Sequence, residues 1–247
     1  MHIMKFNPFI AILSILIAGC TSGNKTSKGT ESNTDTIRVV YTETNITPPQ
    51  ELIDAYNQIH ENIVWSSINH QLKGEALRDS MVCGVEKLKE IIAKEPRYAL
   101  AYTLLIQFQY ALGLHEEMFA TLDQAERALY DNPNIPTLRA CILDDMKHPE
   151  EADEYYHKAI TKEKALLEKG TDIGRYINLC TLNALLDSTY SFTSHLKEIL
   201  DNPRYNRAEI ESIKPFVESL EADEDFHLSR QELAKNATSK DLFRLEE

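Results

Sequence analysis

The chain has 247 residues, 43% of them hydrophobic and 26% charged, a balance that excludes collagen-like, low-complexity and wholly disordered classes. Asp and Glu outnumber Lys and Arg by 39 to 26, a formal charge of −13, and this acidity argues against nucleic acid as a partner. Of only eight Gly, three (Gly19, Gly23, Gly29) fall within the first 29 residues, leaving too few for an all-β fold or a Gly-rich phosphate loop.

Lys5 is followed by the apolar run Phe9–Ile17 and then by small residues, the pattern of a secretory signal. The run is too short to cross a bilayer, which takes about 20 apolar residues. It ends in Ile17-Ala18-Gly19-Cys20, which resembles the lipobox of bacterial lipoproteins. The resemblance implies cleavage of residues 1–19 and acylation of Cys20, with diacylglycerol in thioether linkage and several acyl chains as the anchor. Removal of Lys5 leaves 25 basic residues against 39 acidic ones, a net charge of −14. A body of that sign is not held to an anionic surface by charge, so the membrane contact is assigned to the lipid.

Residues 20–46 read as the lipidated Cys and a flexible tether. Thr21 to Thr36 contains no apolar side chain, and the 25 residues counted on to Asn45 span about 25–30 Å. Arg38–Thr42 is a short extended candidate, and Ile37–Tyr41 is the only stretch with strand period. Surface-displayed lipoproteins of Bacteroidetes often carry an acidic stretch just after the lipidated Cys. Residues 21–30 have none, so the analogy places the domain at the outer membrane, facing the periplasm. Asp35-Thr36-Ile37 also resembles the short O-glycosylation motif of those bacteria.

From Thr47 the period is helical. Thr47-Pro48-Pro49-Gln50 reads as an N-cap, first-turn Pro and capping-box Gln. Leu52, Tyr56, Ile59 and Ile63 share one face; Val64, Trp65, Ile68 and Leu72 share the opposite one, which predicts a kink near Ser66-Ser67 or a helix with neighbours on both sides. Trp65, the only Trp, shares its face with Ile68 and Leu72 and so reads as a core residue, with a partner-binding anchor as the alternative. Gly74 is the expected end of this helix. The next runs over about 75–94 with Leu77, Met81, Val85, Leu88 and Ile92 on a stripe, and Pro96 closes it. Further helices are expected at about 98–112, 115–131, 135–147, 149–169, 172–187, 191–201, 207–221 and 223–236. The helical domain is therefore 47–236, followed by a polar tail at 237–247.

A spacing of 34 residues links Gly84, Leu88 and Ile91 to Met118, Leu122 and Ala125, and these to Ala152, Tyr156 and Ala159. Tyr102, Leu105, Gly113 and Pro96 complete the middle unit. Over roughly residues 75–170 this resembles the tetratricopeptide (TPR) repeat, whose second helix places a small, a large and a small residue at these positions. Ile106, Pro136, Arg139 and the late Pro133 depart from the pattern. The resemblance implies an all-α solenoid of about two to three degenerate helical hairpins plus capping helices. It also implies a groove lined by the first helix of each hairpin: Thr103, Gln107 and Tyr110, then Thr137, Cys141 and Asp144. With Asp145 beside Asp144, that groove should prefer a basic or extended polar partner.

Residues with reactive side chains are sparse. Cys83, Cys141 and Cys180 lack metal-site spacing, and their apolar sequence neighbours predict three buried thiols. Glu154-Tyr-Tyr-His157 and Glu224-Asp-Phe-His227 have the i, i+3 spacing of carboxylate-bridged metal bundles, but among so many acidic residues both read as solvated faces. The eight His pair with no nucleophile motif, and GxSxG, HExxH and P-loop patterns are absent from the sequence. Taken together, the expectation is a non-catalytic module without metal or cofactor. It would bind a protein or peptide at the bacterial envelope and resembles TPR lipoproteins of Gram-negative bacteria. An immunity-type lipoprotein that neutralises a basic toxin is the alternative, and an envelope enzyme ranks last.

Overall fold

The computed structural model describes residues 47–170, 172–222, 226, 228–239, 242, 243 and 245. Cys20, the signal segment, the tether, the Ile37–Tyr41 strand candidate, Glu224 and His227 lie outside them. Among the described residues the protein is all α, with ten helices and no strand. No helix among them is long and apolar enough to cross a membrane. The chain divides into two compact units: residues 47–131 with those from Thr238 onward, and Asn132–Ala237.

The first unit holds α1 (Gln50–Ile59, continued through His60–Trp65 and Ser66–Ile68), α2 (Gly74–Lys94), α3 (Ala99–Ala111) and α4 (His115–Ala128). Neighbours in sequence pack against each other, α2 on α3 and α3 on α4. The start of α1 differs from the capping-box expectation. The helix begins at Gln50 with Pro49 in the cap position and no side-chain cap, and Gln50 instead donates to Asp54 Oδ1 at 2.8 Å.

The irregularity expected near Ser66-Ser67 lies just before it, as a π-helical turn over His60–Trp65, and Ser66–Ile68 is regular helix. Widening by one residue per turn brings i and i+5 together, so the Trp65 ring lies edge-on to His60 with centroids 6.3 Å apart. Ile59, Ile63, Val64 and Ser67 stay inward, while Trp65 (51% exposed) and Ile68 (43%) face solvent. Trp65 is therefore a surface residue, not the core residue the periodicity suggested, because periodicity assumes 100° per residue and this turn rotates less. The helix ends on His70 in the left-handed region (φ 57°) rather than at Gly74, with Gln71 N–H donating to Ser66 O at 2.8 Å. Gly74, at φ 52°, opens α2 instead.

Gly84 is where α2 needs no side chain. A Cβ there would sit 2.7 Å from Phe108 Cε2 and 2.9 Å from Ile63 Cδ1. Close helix approach in this unit thus depends on Gly84, and Gly84→Val should lower unfolding free energy by about 2–3 kcal/mol in urea titrations. Phe243, in the segment expected to be a polar tail, is 3% exposed and meets Phe108 edge-on at 5.3 Å, and Leu242 O accepts from Ser67 Oγ at 2.7 Å.

The second unit holds α5 (Asn134–Asp145), α6 (Pro149–Leu167), α7 (Ile173–Leu186), α8 (Phe192–Leu200), α9 (Arg207–Glu221) and α10 (Arg230–Ala237). Helices α5 to α9 pack sequentially, whereas α10 returns to pack along α5. Of the last helix expected over 223–236, residues 223–225 and 227 lie outside the described residues; the described helix is Arg230–Ala237 and buries Leu233, Ala234 and Ala237. Pro136 sits in the first turn of α5, where its missing N–H costs nothing. Arg139, at the position where the repeat pattern puts Leu, is buried because its guanidinium donates to Tyr155 Oη at 2.8 Å and lies 4.8 Å from that ring's centroid.

The 34-residue positions behave alike within each unit. Gly84, Leu88, Ile91, Met118, Leu122 and Ala125 are buried in one, Ala152, Tyr156 and Ala159 in the other. The hairpin turns match as well. Gly113 (φ 75°) and Lys147 (φ 67°) take the left-handed C′ place, and the next residue's N–H returns to the carbonyl five residues back at 2.8 Å in both.

Candidate functional site: an acidic box at the α5–α6 turn

Asp144 falls in the last turn of α5, where the helix dipole disfavours a negative charge. Three hydrogen bonds from two side chains offset this. The Tyr156 hydroxyl, buried on α6, donates to Asp144 Oδ2 at 2.8 Å. Arg230 Nε donates to the same oxygen at 2.9 Å, and Arg230 Nη2 donates to Asp144 Oδ1 at 2.6 Å. The guanidinium goes on to Asp153 Oδ1 through Nη1 at 2.5 Å and to the Pro149 carbonyl through Nη2 at 3.3 Å. Its Cζ lies 5.0 Å from the Tyr156 ring centroid, within cation–π range. The Asp144 side chain is 7% exposed and that of Arg230 26%.

Each partner is positioned by local chain geometry. The left-handed Lys147 reverses the chain after α5, so α6 starts at Pro149 next to Asp144. Asp153 follows one turn later, and Tyr156 comes up from the buried side. Cys141, one turn before Asp144, places Sγ 3.7 Å from Tyr156 Oη. Burial pushes the Cys141 thiol up to about 12, so it is a protonated packing group and not a thiolate nucleophile. Burial, with Cys141 and Asp144 as neighbours, raises the Tyr156 phenol as well and keeps it a donor to Asp144. The arrangement binds a planar cation bidentately.

Of the expected groove residues, Cys141 and Asp144 meet through Tyr156. Thr137 is buried and donates to the Pro133 carbonyl at 2.9 Å, a bond back along its own helix. In the first unit Gln107 is buried, Thr103 donates to Ala99 O at 3.2 Å, and Tyr110 stacks on His115 at 5.7 Å. Thr103, Tyr110 and Asp144 keep some exposed surface; Gln107, Thr137 and Cys141 have almost none. Arg230, Asp153 and the Pro149 carbonyl were not anticipated. One signal was present: Arg230 is the only Lys or Arg between Lys214 and Lys235, just after the acidic run Glu218–Asp225.

The thiols divide two to one. Cys141 and Cys180 are buried, and burial raises Cys180 to about 11, its hydrogen bonds to Tyr190 and Tyr176 acting in the opposite direction. Cys83 is exposed, which corrects the expectation of three core thiols. Its neighbours Met81 and Val82 are apolar in sequence, but Cys83 lies about 200° around the helix from Met81. It borders a cleft of about 290 Å³ between α1 and α2 that Asn62, Asp79 and Lys87 also line. Native labelling with a maleimide should modify one thiol of these three, Cys83, and denaturation should release Cys141 and Cys180. Native modification of either buried thiol would contradict the packing described here.

Glu154 and His157 are both exposed on α6. Among the described residues no three His, Cys, Asp or Glu side chains converge as metal ligands do. No protein-family model matches the chain, and neither a curated protein nor a solved structure matches it significantly.

Proposed function

We propose that the protein is anchored by lipid at Cys20 to a membrane of a bacterial envelope, and that it serves there as a non-catalytic module binding a protein or peptide on degenerate TPR-like hairpins. The observation that carries the reading is the hairpin repeated at 34 residues, with matching left-handed turns at Gly113 and Lys147 and matching buried positions on α2, α4 and α6. The acidic box at the second of these turns is filled by Arg230 of the same chain, and a cationic partner that displaced it would gain both charge and geometry.

Two measurements test the reading. Cys20→Ser should move the protein from the membrane to the soluble fraction and abolish labelling by a palmitate analogue; continued sedimentation with membranes would remove the anchor from the account. Asp153 has a side chain that is 47% exposed and pairs with Arg230. Full-length Asp153→Lys should retain its far-UV spectrum and lose at least ten-fold of whatever envelope protein the wild type retains. Equal retention by both would place binding elsewhere.

A further inference from the structure

We infer that the Asp144–Asp153 box is a guanidinium-recognition site for a helical segment of another protein, one that carries Arg three residues ahead of a Leu-Ala pair, and that α10 occupies this site in cis. The inference rests on the binding role proposed above and names the chemistry of the partner.

The box is made for arginine rather than for a positive charge in general. All three guanidinium nitrogens are engaged: Nε and Nη2 side-on by Asp144, Nη1 by Asp153, and Nη2 again by the Pro149 carbonyl. A lysine ammonium has no planar fork and can satisfy only part of that set. The box is also held in place by groups other than Arg230. Tyr156 fixes Asp144 Oδ2 from below, and the Pro149 carbonyl and Asp153 are set by the start of α6. A second guanidinium entering from another chain would therefore find the acceptors already oriented, with little ordering cost left at the site.

The present occupant defines the shape of the partner. Helix α10 has eight residues, and its buried face is Leu233, Ala234 and Ala237, at three, four and seven positions after Arg230. Helices under about 12 residues are marginal on their own in water. This one is therefore stabilised by its seat along α5. Being tethered, α10 competes at an effective concentration on the order of millimolar. An external segment is admitted only if it out-competes that, which limits binding to segments that reproduce both the Arg and the small apolar face. The −13 charge of the chain favours approach of such a cationic segment.

The probe is a blocked synthetic peptide with the sequence of residues 228–239, alongside the same peptide with Arg230→Lys. The receptors are the full-length wild type and the full-length variant Arg230→Ala/Leu233→Asp, in which α10 loses its hold. With helical content checked by far-UV circular dichroism, the double variant should bind the Arg peptide at least ten-fold more tightly than the wild type does. It should also bind the Arg peptide at least ten-fold more tightly than the Lys peptide. Where the double variant loses its helical content, full-length Arg230→Lys replaces it and should show the same order. Absence of peptide binding to a folded variant overturns the inference, as does equal binding of the two peptides. Either outcome, combined with partner loss in Asp153→Lys, would leave the binding role standing without an arginine code.

Discussion

Arg230→Ala is expected to lower the unfolding free energy by about 3 kcal/mol. The Asp144 side chain is 7% exposed, and without Arg230 its only remaining hydrogen-bond donor among those described is the Tyr156 hydroxyl. The cost is chiefly that of a buried carboxylate losing its counter-charge, with a smaller part from the guanidinium over the Tyr156 ring. Arg230→Lys should fall between, at about 1–2 kcal/mol, since it retains the charge and loses the fork. Because the pair is largely shielded from solvent, 0.5 M salt should change these differences little. Chemical denaturation of the three proteins checks the order. A loss below about 0.5 kcal/mol for Arg230→Ala would mean that the pair is no better than an exposed one.

The second large effect is a dependence of stability on pH that originates at Glu163. This α6 carboxylate is 1% exposed; Asn178 Nδ2 donates to it at 3.2 Å and Arg175 Nη1 at 3.4 Å, both from α7. Asp172, at the start of α7, stands 3.8 Å from Arg175 Nε and shares that cation. Burial raises Glu163 to about 7, while Arg175 and Asn178 pull it down and Asp172 pushes it further up. A carboxyl with a folded pKa near 7 and an unfolded value of 4.5 binds a proton in the folded state over that interval. Folding is therefore favoured as pH falls from about 7 to about 4.5, and the contribution is lost as pH rises through 7. The full swing is up to about 3 kcal/mol. The midpoint of urea unfolding should rise on acidification through this window, against the usual trend for a protein rich in carboxylates. Glu163→Gln, which keeps the hydrogen-bonding shape without the titrating group, should flatten the profile. An unchanged profile in that variant would assign the dependence to other groups.

Helix positions were legible because most of this chain obeys one rule, an apolar stripe at 3.6-residue spacing ended by Gly, Pro or Asn. The stripe of α2, Leu77, Met81, Val85, Leu88 and Ile92, is buried as its spacing predicts. The rule failed where backbone geometry departs from the ideal helix. The π turn at His60–Trp65 carries no Pro or Gly, so the outward turn of Trp65 had no local signal. Left-handed residues at His70 and Lys147 were equally hidden, since Gly is the usual marker of that conformation. Cys83 departs for a different reason: its apolar neighbours in sequence, Met81 and Val82, are not its neighbours in space.

Part of the site was legible too. The acidic end of α5 was visible as Asp144-Asp145. That the chain itself supplies a guanidinium there, 86 residues later, depends on α10 packing back along α5, a long-range contact with no periodic signature. The isolated Arg230 after an acidic run was the only trace of it in the sequence.

The most direct test of the proposed binding role is photo-crosslinking in intact cells from a reactive side chain at position 153, in the full-length protein with and without Arg230→Ala. The account predicts an adduct with a second envelope protein at that position, mapped to an arginine-bearing helical segment, and a several-fold greater yield when Arg230 no longer fills the box. Adducts confined to the chain's own α10 in the wild type, with no intermolecular product in either form, would contradict it.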